Sequence, residues 1–269
     1  MSAEIATYKS VFISDTHLGS RGSNAKHLNI FLDTHTSDNL FLVGDIIDGW
    51  RLEKTFYWPE DHSKTIEHLL NKSRNGTHVY YLLGNHDESV QTLDERGVDI
   101  EEISMLSDSI DFNATMDYLG IDGNKYLVCH GDMFDTLMTS NNGRRIMLLG
   151  TVAYDVLLHF HNFVNGISAK LRLPYVNLTG FAKRQTKSIC NKLLKFENRL
   201  IQHANIEKYD GVICGHIHTP EIKNIDNTIY MNCGDWVENC SALVEHLDGK
   251  WEILDWGKSN RKSKTSINN

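Results

Sequence analysis

Residues 11–17 read VFISDTH, and this stretch decides the fold because it joins a buried strand to two polar side chains. Its first part is a short apolar run with β-branched residues, which is typical of a strand buried on both faces. Asp15 and His17 come where that strand should end. Because the same arrangement recurs along the chain, the stretch predicts an α/β architecture.

Four further apolar runs end in a polar cluster. They occupy residues 40–43, 78–83, 126–129 and 211–214, and they are followed by Gly44-Asp45, Gly84-Asn85-His86-Asp87, His130-Gly131-Asp132 and Gly215-His216-Ile217-His218. Helix-like segments at 25–34 and 61–72 separate the early runs, as expected for βαβ units. Alternating segments at 228–232, 242–246 and 251–254 predict antiparallel additions to the sheet.

The length of 269 residues and the ordinary composition favour one globular domain, which we expect over residues 1–257, with a polar tail at 258–269. Residues 141–206 differ from the rest: they combine an apolar helical stripe with ten Lys or Arg and only two acids. This region therefore carries about +8, and the remainder about −16, of a net −8. We predict a helical insertion there.

Charge and cysteine usage narrow the class of protein. The acidic balance argues against a general nucleic-acid binder, whose surface is usually basic. Five cysteines without a CxxC pair indicate reduced thiols rather than a disulfide framework. The first ten residues lack a secretory pattern, and no run of about 18 apolar residues occurs. We therefore expect a cytoplasmic protein.

The polar clusters at the five strand ends predict a metal site. In an open α/β sheet, loops at the carboxyl ends of the strands meet at one crevice. Residues two apart on an extended segment point to the same side, so Asp15 with His17, and His216 with His218, should share one pocket. Carboxylate, imidazole and amide groups suit Mn, Fe, Zn and related divalent ions.

The number of candidate ligands predicts two ions rather than one. Seven are too many for a single ion, and a bridging carboxylate allows two ions to lie about 3.5–4 Å apart. The seven candidates are Asp15, His17, Asp45, Asn85, His130, His216 and His218. Asp48 and Asp132 are either supports of these ligands or turn formers.

The five motifs, in this order and spread over residues 11–236, resemble those of the calcineurin-like metallophosphoesterases. The resemblance implies their fold, a β-sandwich flanked by helices, and a metal-dependent hydrolase. It also implies that Asp15, His17 and His218 hold one ion, that Asn85, His130 and His216 hold the other, and that Asp45 bridges them. His86 matches the family's catalytic histidine, and Asp87 resembles its orienting partner. Two Mn ions are favoured, and Fe, Zn or Mg also suit the ligands.

Three stretches within this set are similar to bacterial UDP-2,3-diacylglucosamine diphosphatases: residues 12–19, 42–50 and 232–236. Those enzymes cleave a UDP-sugar lipid in lipid A synthesis, releasing UMP and a lipid monophosphate. The best-known members have Arg where this chain has His86. Beside Asn85 and His86, the substrate-binding candidates are basic residues of the insertion, Arg144, Lys183, Arg184 and Lys187, which could also contact an anionic membrane surface.

Two other functions remain open on the sequence. One is a phosphodiesterase or phosphatase that acts on a soluble nucleotide or another phospholipid. The other is a binding scaffold that keeps the fold without catalysis, which the complete ligand set disfavours. For the insertion, the alternative is two ordinary packed helices with a solvated basic face.

Overall fold

A computed structural model describes residues 5–87, 112–135 and 194–256, together with single positions at 101, 103, 105, 106 and 110. The chain divides into two compact units, one formed by Met1–Gly131 with Ile201–Asn269 and the other by Asp132–Leu200.

The described elements follow the chain in a mixed α/β order. They are β1 (Ala6–Ile13), α1 (Ala25–Thr34), β2 (His35–Val43), α2 (Gly49–Leu52), α3 (Glu60–Arg74), β3 (His78–Leu82), β4 (Phe112–Asn113), β5 (Thr115–Leu119), β6 (Lys125–Cys129), β7 (Gly211–Cys214), β8 (Glu221–Ile225), β9 (Thr228–Asn232), β10 (Ser241–Glu245) and β11 (Trp251–Asp255).

The strands of the first unit form two sheets. The six-stranded sheet has the order β11-β10-β1-β2-β3-β4, in which β1 to β4 are parallel and β10 is antiparallel to β1. The five-stranded sheet has the order β5-β6-β7-β9-β8, with β6, β7 and β9 parallel and antiparallel strands at both edges. The carboxyl ends of β1, β2 and β3 therefore meet at one edge, and those of β6 and β7 meet at the corresponding edge of the other sheet.

Two hydrophobic cores hold this unit together. One contains residues of both sheets, among them Phe12, Phe41, Val128 and Met231. The other lies between the six-stranded sheet and its helices. Helix α1 buries Ala25, Leu28, Asn29 and Leu32, and α3 buries Thr65, Ile66, Leu69 and Leu70. This spacing of three and four residues puts one side of each helix against the sheet.

The strands and helices that the sequence predicted outside residues 141–206 are present in the structure. Helix α1 and strands β7 and β9 have the predicted bounds, and the other predicted strands and helix differ by one to five residues at their ends. Strands β4, β5 and β8 were not predicted. Strand β5 has the exposure pattern of an edge strand and contains Asp117, so it lacks the continuous apolar run by which a buried strand is found.

Little of the predicted insertion falls within the described residues. In the second unit, Asp132–Phe134 forms a short 3₁₀ helix, and Asp132 accepts a backbone hydrogen bond from Asp135. Residues 194–206 are helical, and the Arg199 side chain donates to the Phe134 carbonyl at 3.4 Å. Arg144, Lys183, Arg184 and Lys187 lie outside the described residues. Among the described helices, none is long and apolar enough to cross a membrane.

Candidate metal centre

The polar residues that follow β1, β2, β3, β6 and β7 converge on one cluster. Three groups of side chains each bring their ligand atoms within 4.8 Å of one another: Asp15, His17 and His218; His17, Asp45 and His86; and Asp15, Asp45 and His130. Because Asp15, His17 and Asp45 each belong to two groups, the groups form one continuous site.

Several candidate metal ligands have a left-handed backbone conformation rather than an extended one. Asp15, His17, Asp45, His216 and His218 all have φ between 47° and 69°. Strands β1 and β7 end at Ile13 and Cys214, before the first of these residues. The sequence argument that residues two apart on an extended segment share one side therefore does not apply at these turns, although Asp15 and His17 do lie in one group. Such backbone costs about 1–3 kcal/mol for each non-glycine residue and is concentrated at functional sites.

Two glycines of the motifs leave the space that the cluster needs. A Cβ on Gly84 would lie 2.3 Å from Asp45 Oδ1, and one on Gly44 would lie 2.5 Å from the His130 ring. Real Cβ atoms do not approach so closely. The glycines before Asp45 and Asn85 are therefore required by contact between loops as well as by the turn itself.

Asp15 is held by its histidine neighbours. Its Oδ1 lies 3.0 Å from His218 Nε2 and 3.9 Å from His17 Nε2, and its Oδ2 accepts the His216 backbone N–H at 2.9 Å. Burial alone would raise the pKa of Asp15, but the His218 imidazole outweighs it and lowers that pKa to about 2. Conversely, although burial opposes protonation of His218, Asp15 raises the pKa of His218 to about 9.

Asp45 occupies the centre of the cluster. Its Oδ2 is 3.3 Å from His130 Nε2 and 3.9 Å from the Nε2 atoms of both His17 and His86. Burial opposes its ionisation, yet His130 and His86 hold the pKa of Asp45 well below its usual range. Asp45 is thus an ionised, buried carboxylate surrounded by the imidazoles of His17, His86 and His130.

His130 has a fixed orientation. Its Nδ1 lies 3.0 Å from the Val43 carbonyl, which can only accept, so Nδ1 carries the proton. Its Nε2 lies 3.3 Å from Asp45 Oδ2 and is the ring atom left for a metal ion. A backbone carbonyl that orients an imidazole in this way is the usual support of a metal-binding histidine.

Asn85 and His216 complete the set predicted from the sequence. Asn85 is 2% exposed, and within the described part of the chain its Oδ1 and Nδ2 have no hydrogen-bond partner. Leaving both ends of a buried amide unsatisfied costs free energy, so the side chain is suited to an additional ligand. The His216 ring lies 5.2 Å from the His130 ring, and His216 is in none of the three groups.

His86 is oriented by Asp48, not by Asp87 as the sequence suggested. Its Nδ1 lies 2.9 Å from Asp48 Oδ1, and its backbone N–H donates to Asp45 Oδ1 at 2.8 Å. Burial disfavours the charged ring, but Asp45 and Asp48 together raise the pKa of His86 above its ordinary value. Asp48 also lies 3.7 Å from His17 Nδ1, so one carboxylate supports two histidines.

Asp87 instead fixes the loop after β2. Its carboxylate accepts the backbone N–H groups of Asp45, Ile47 and Gly84 at 2.6–2.9 Å and the Tyr81 hydroxyl at 2.8 Å. Full burial, with Asp45 nearby, raises the pKa of Asp87 to about 6. Adjacency in sequence was a poor guide here, because the turn at residues 84–87 points His86 and Asp87 in different directions.

A turn after β9 contacts the backbone of His218. The sequence did not predict this contact. Asn239 Nδ2 donates to the His218 carbonyl at 2.9 Å, and the Asp235 carboxylate accepts backbone N–H groups of residues 237–239. Asp235 is fully buried. The bond to the carbonyl holds His218 in its left-handed conformation.

The donor set fits divalent metal. It combines buried carboxylates with lowered pKa, imidazoles oriented by carbonyl or carboxylate groups, and an unsatisfied amide. Hard oxygen and imidazole donors of this kind suit Mn, Fe, Zn and Mg. Part of the cluster is open to solvent, since the His218 and His86 side chains are 33% and 19% exposed.

Comparison with known proteins identifies the family. Residues 8–220 match the family described as Calcineurin-like phosphoesterase, so the chain belongs to it. It is a metal-dependent phosphoesterase, in agreement with its metal-binding clusters. No curated protein matches the chain.

The chain is similar to several solved structures at low identity. An archaeal phosphodiesterase is 12% identical with a TM-score of 0.44, over 91% of this chain and 98% of its own. Yfce, a phosphoesterase from E. coli, is 15% identical with a TM-score of 0.41, over 91% and 98%. Vps29 from Entamoeba histolytica, in complex with zinc, is 11% identical with a TM-score of 0.39, over 92% and 98%.

Proposed function

We propose that the chain hydrolyses a phosphate anhydride or ester with two divalent ions, most plausibly Mn. Asp15, His17 and His218 would hold one ion, Asn85, His130 and His216 the other, and Asp45 would contribute to both. The observation that carries this proposal is the overlap of the three ligand groups at Asp15, His17 and Asp45. When bound, such an ion pair orients the phosphoryl group, lowers the pKa of water and stabilises developing charge.

His86 would act as the proton donor to the leaving oxygen. Asp48 occupies its Nδ1, so Nε2 is the ring atom that faces the cluster, 3.9 Å from Asp45 Oδ2. The raised pKa of His86 favours the protonated form of the ring. In that form it also stabilises negative charge that develops on the phosphoryl group.

The acids around His86 have separate tasks. Asp48 keeps the imidazole in one orientation and favours its charged form. Asp87 touches no reacting group in this scheme and acts by holding the backbone of Asp45 in place. A displacement of Asp45 by even a fraction of an ångström would disturb both ligand sets.

The proposed substrate is a UDP-sugar lipid of the UDP-2,3-diacylglucosamine type. Water would attack the diphosphate, and UMP and a lipid monophosphate would leave. Support comes from the similarity of residues 12–19, 42–50 and 232–236 to the bacterial diphosphatases. The proposal includes a cytoplasmic location and contact of Arg144, Lys183, Arg184 and Lys187 with the diphosphate or an anionic membrane surface. It includes no nucleic-acid partner.

A second candidate is a phosphodiesterase or phosphatase that acts on a soluble nucleotide or another phospholipid. It is favoured by His86 itself, because the lipid A branch has Arg at this position. The histidine retained here, with Asp48 as its partner, is a proton donor suited to many leaving groups.

A hydrolysis screen separates the two candidates. Purified protein is supplemented with Mn, Zn or Mg and given UDP-2,3-diacylglucosamine, cyclic nucleotides or aryl phosphates, with D45A as the inactive control. Release of UMP from the first substrate, with little turnover of the others, supports the diphosphatase. Preference for a soluble nucleotide or aryl ester supports the second candidate, and metal-independent turnover in D45A contradicts both.

Membrane contact has its own test. Flotation with vesicles containing anionic lipid should recover the wild type, and a variant with Lys183, Arg184 and Lys187 changed to Glu should remain unbound. Each basic residue near an anionic surface contributes on the order of 1 kcal/mol. A wild type that never floats with the vesicles contradicts this part of the proposal.

A further inference from the structure

Trp50 is an aromatic residue in direct contact with the candidate proton donor. It lies in α2, two residues after Asp48, and its ring centroid is 4.3 Å from that of His86 with an interplanar angle of 32°. The residue is half-buried, and the side chain of His86 is 19% exposed.

The direction of His86 determines what Trp50 can touch. Since Asp48 holds Nδ1, a proton can leave only from Nε2. A proton donor must lie within about 3 Å of the oxygen that receives its proton. In a phosphate ester the organic group on that oxygen therefore begins beside the imidazole, and in a diphosphate it begins one phosphate further away. Trp50 covers one side of this imidazole.

The chemistry of Trp50 differs from that of the rest of the cluster. Carboxylates and imidazoles suit ions and phosphoryl oxygens, and the nearby Arg51 already pairs with Asp48 at 3.3 Å. Trp50 adds a broad, flat apolar surface. Such surfaces bind rings by burying apolar area and have little to offer a small polar group.

We propose that Trp50 is a specificity-determining residue that packs against a leaving group with a flat apolar face, such as a sugar or aryl ring. This inference rests on the proposed function, in which His86 protonates that leaving group. It predicts that Trp50 discriminates between leaving groups of similar basicity according to whether they carry a ring.

A purely structural role makes a different prediction. If Trp50 only held His86 in place, its removal would slow every substrate by the same factor. If Trp50 contacts the leaving group, its removal penalises ring-bearing substrates selectively. The ratio of two rates therefore separates the roles.

The test compares benzyl phosphate with ethyl phosphate, two esters of primary alcohols of similar basicity, in the metal-loaded protein. If the screen shows only diester cleavage, the benzyl and ethyl esters of UMP replace them, and if it shows only anhydride cleavage, the benzyl and ethyl esters of UDP replace them. The variants are W50A, W50F, and W50Q as a bulkier substitute should W50A fail to fold. F56A is the matched control: Phe56 is on the same connection, is 62% exposed, and makes no ring contact among the described residues.

We expect W50A or W50Q to lower kcat/KM for the benzyl ester about tenfold more than for the ethyl ester, chiefly through KM. W50F should keep most of the preference, and F56A all of it. Equal losses on both esters, or no loss on either, overturn the proposal. Absence of turnover by the wild type on every phosphate ester and anhydride would instead contradict the proposed function, which keeps the two failures distinguishable.

Discussion

Two buried polar clusters of this protein invite comparison. The metal-binding cluster gathers Asp15 and Asp45 with several histidines. The second cluster contains Glu245, Tyr118 and Ser10: the Tyr118 hydroxyl donates to Glu245 and shares a hydrogen bond of 2.7 Å with Ser10, and Glu245 also accepts the Ile121 backbone N–H at 2.8 Å. Both clusters contain fully buried acids.

The clusters differ in how well their polar groups are satisfied. The second is closed by hydrogen bonds between strands, and Ser10, Tyr118 and Glu245 have ordinary backbone angles. The first has left-handed backbone at five candidate ligands and an Asn85 amide without a partner among the described residues. Satisfied buried networks stabilise a fold, whereas strain and unmet polar groups persist where a ligand compensates for them.

The largest expected effect comes from Asp45→Ala. Removing the carboxylate shared by two ligand groups should abolish hydrolysis and reduce the metal content measured by mass spectrometry. Glu245→Gln, in the second cluster, is the matched control and should keep both. Normal hydrolysis by the Asp45 variant would show that the two-metal scheme is wrong.

His86→Ala should lower turnover by about 10²–10⁴-fold, because it removes the proton donor. Metal content should stay at the wild-type value, since His86 is not one of the seven proposed metal ligands. Asp48→Asn should produce a smaller loss, because it weakens the orientation of His86 without removing it. Unchanged turnover in the His86 variant would exclude this residue from the chemistry.

Asn239→Ala tests the support behind the metal-binding cluster. Loss of the bond to the His218 carbonyl should weaken metal binding about 10-fold, measured by isothermal titration. Asn29→Ala is the control, since Asn29 donates to the Asp61 carbonyl and ties α1 to α3. Equal metal affinity in the two variants would mean that the turn does not position His218.

Tyr118→Phe probes the second cluster. The ring and its contacts with Phe12 and Phe41 remain, but the hydroxyl that donates to Glu245 is lost. Unfolding in urea should show a loss of about 1–3 kcal/mol, with turnover within about twofold of the wild type. A large loss of turnover at unchanged stability would mean that this hydrogen-bond network contributes to the active site.

The smallest effect concerns His62, whose Nδ1 accepts the Gly19 backbone N–H at 3.0 Å. Burial lowers the pKa of His62 to about 4. Between an unfolded value near 6.5 and this folded value, the unfolded chain binds a proton that the folded one does not. The free energy of unfolding should therefore decrease as the pH is lowered through this window, by up to about 1.4 kcal/mol per pH unit.

His62→Asn keeps an acceptor for Gly19 and cannot be protonated in this range. The free energy of unfolding of this variant should decline less steeply between pH 6.5 and pH 4 than that of the wild type. Identical slopes would mean that folding does not lower the pKa of His62.

The sequence predicted those strands and helices that a single local hydrophobic pattern specifies. The buried runs at 40–43 and 211–214 appear as β2 and β7, and the stripe at 25–34 appears as α1. Of the seven predicted metal ligands, Asp15, His17, Asp45, His130 and His218 lie in the three groups. Asp87 illustrates the limit, because nothing in the order Asn85-His86-Asp87 tells which acid will face the imidazole.

The amino-acid sequence by itself determined the strand and helix order and the residue types that gather at the strand ends, since both follow from hydrophobic periodicity and from the topology of parallel sheets. Only the tertiary structure decided that Asp48 holds His86, that Asn239 braces His218 and that Trp50 covers the imidazole. These contacts join loops whose left-handed turns are set by packing between distant segments. A side chain's direction there depends on neighbours that no local pattern records.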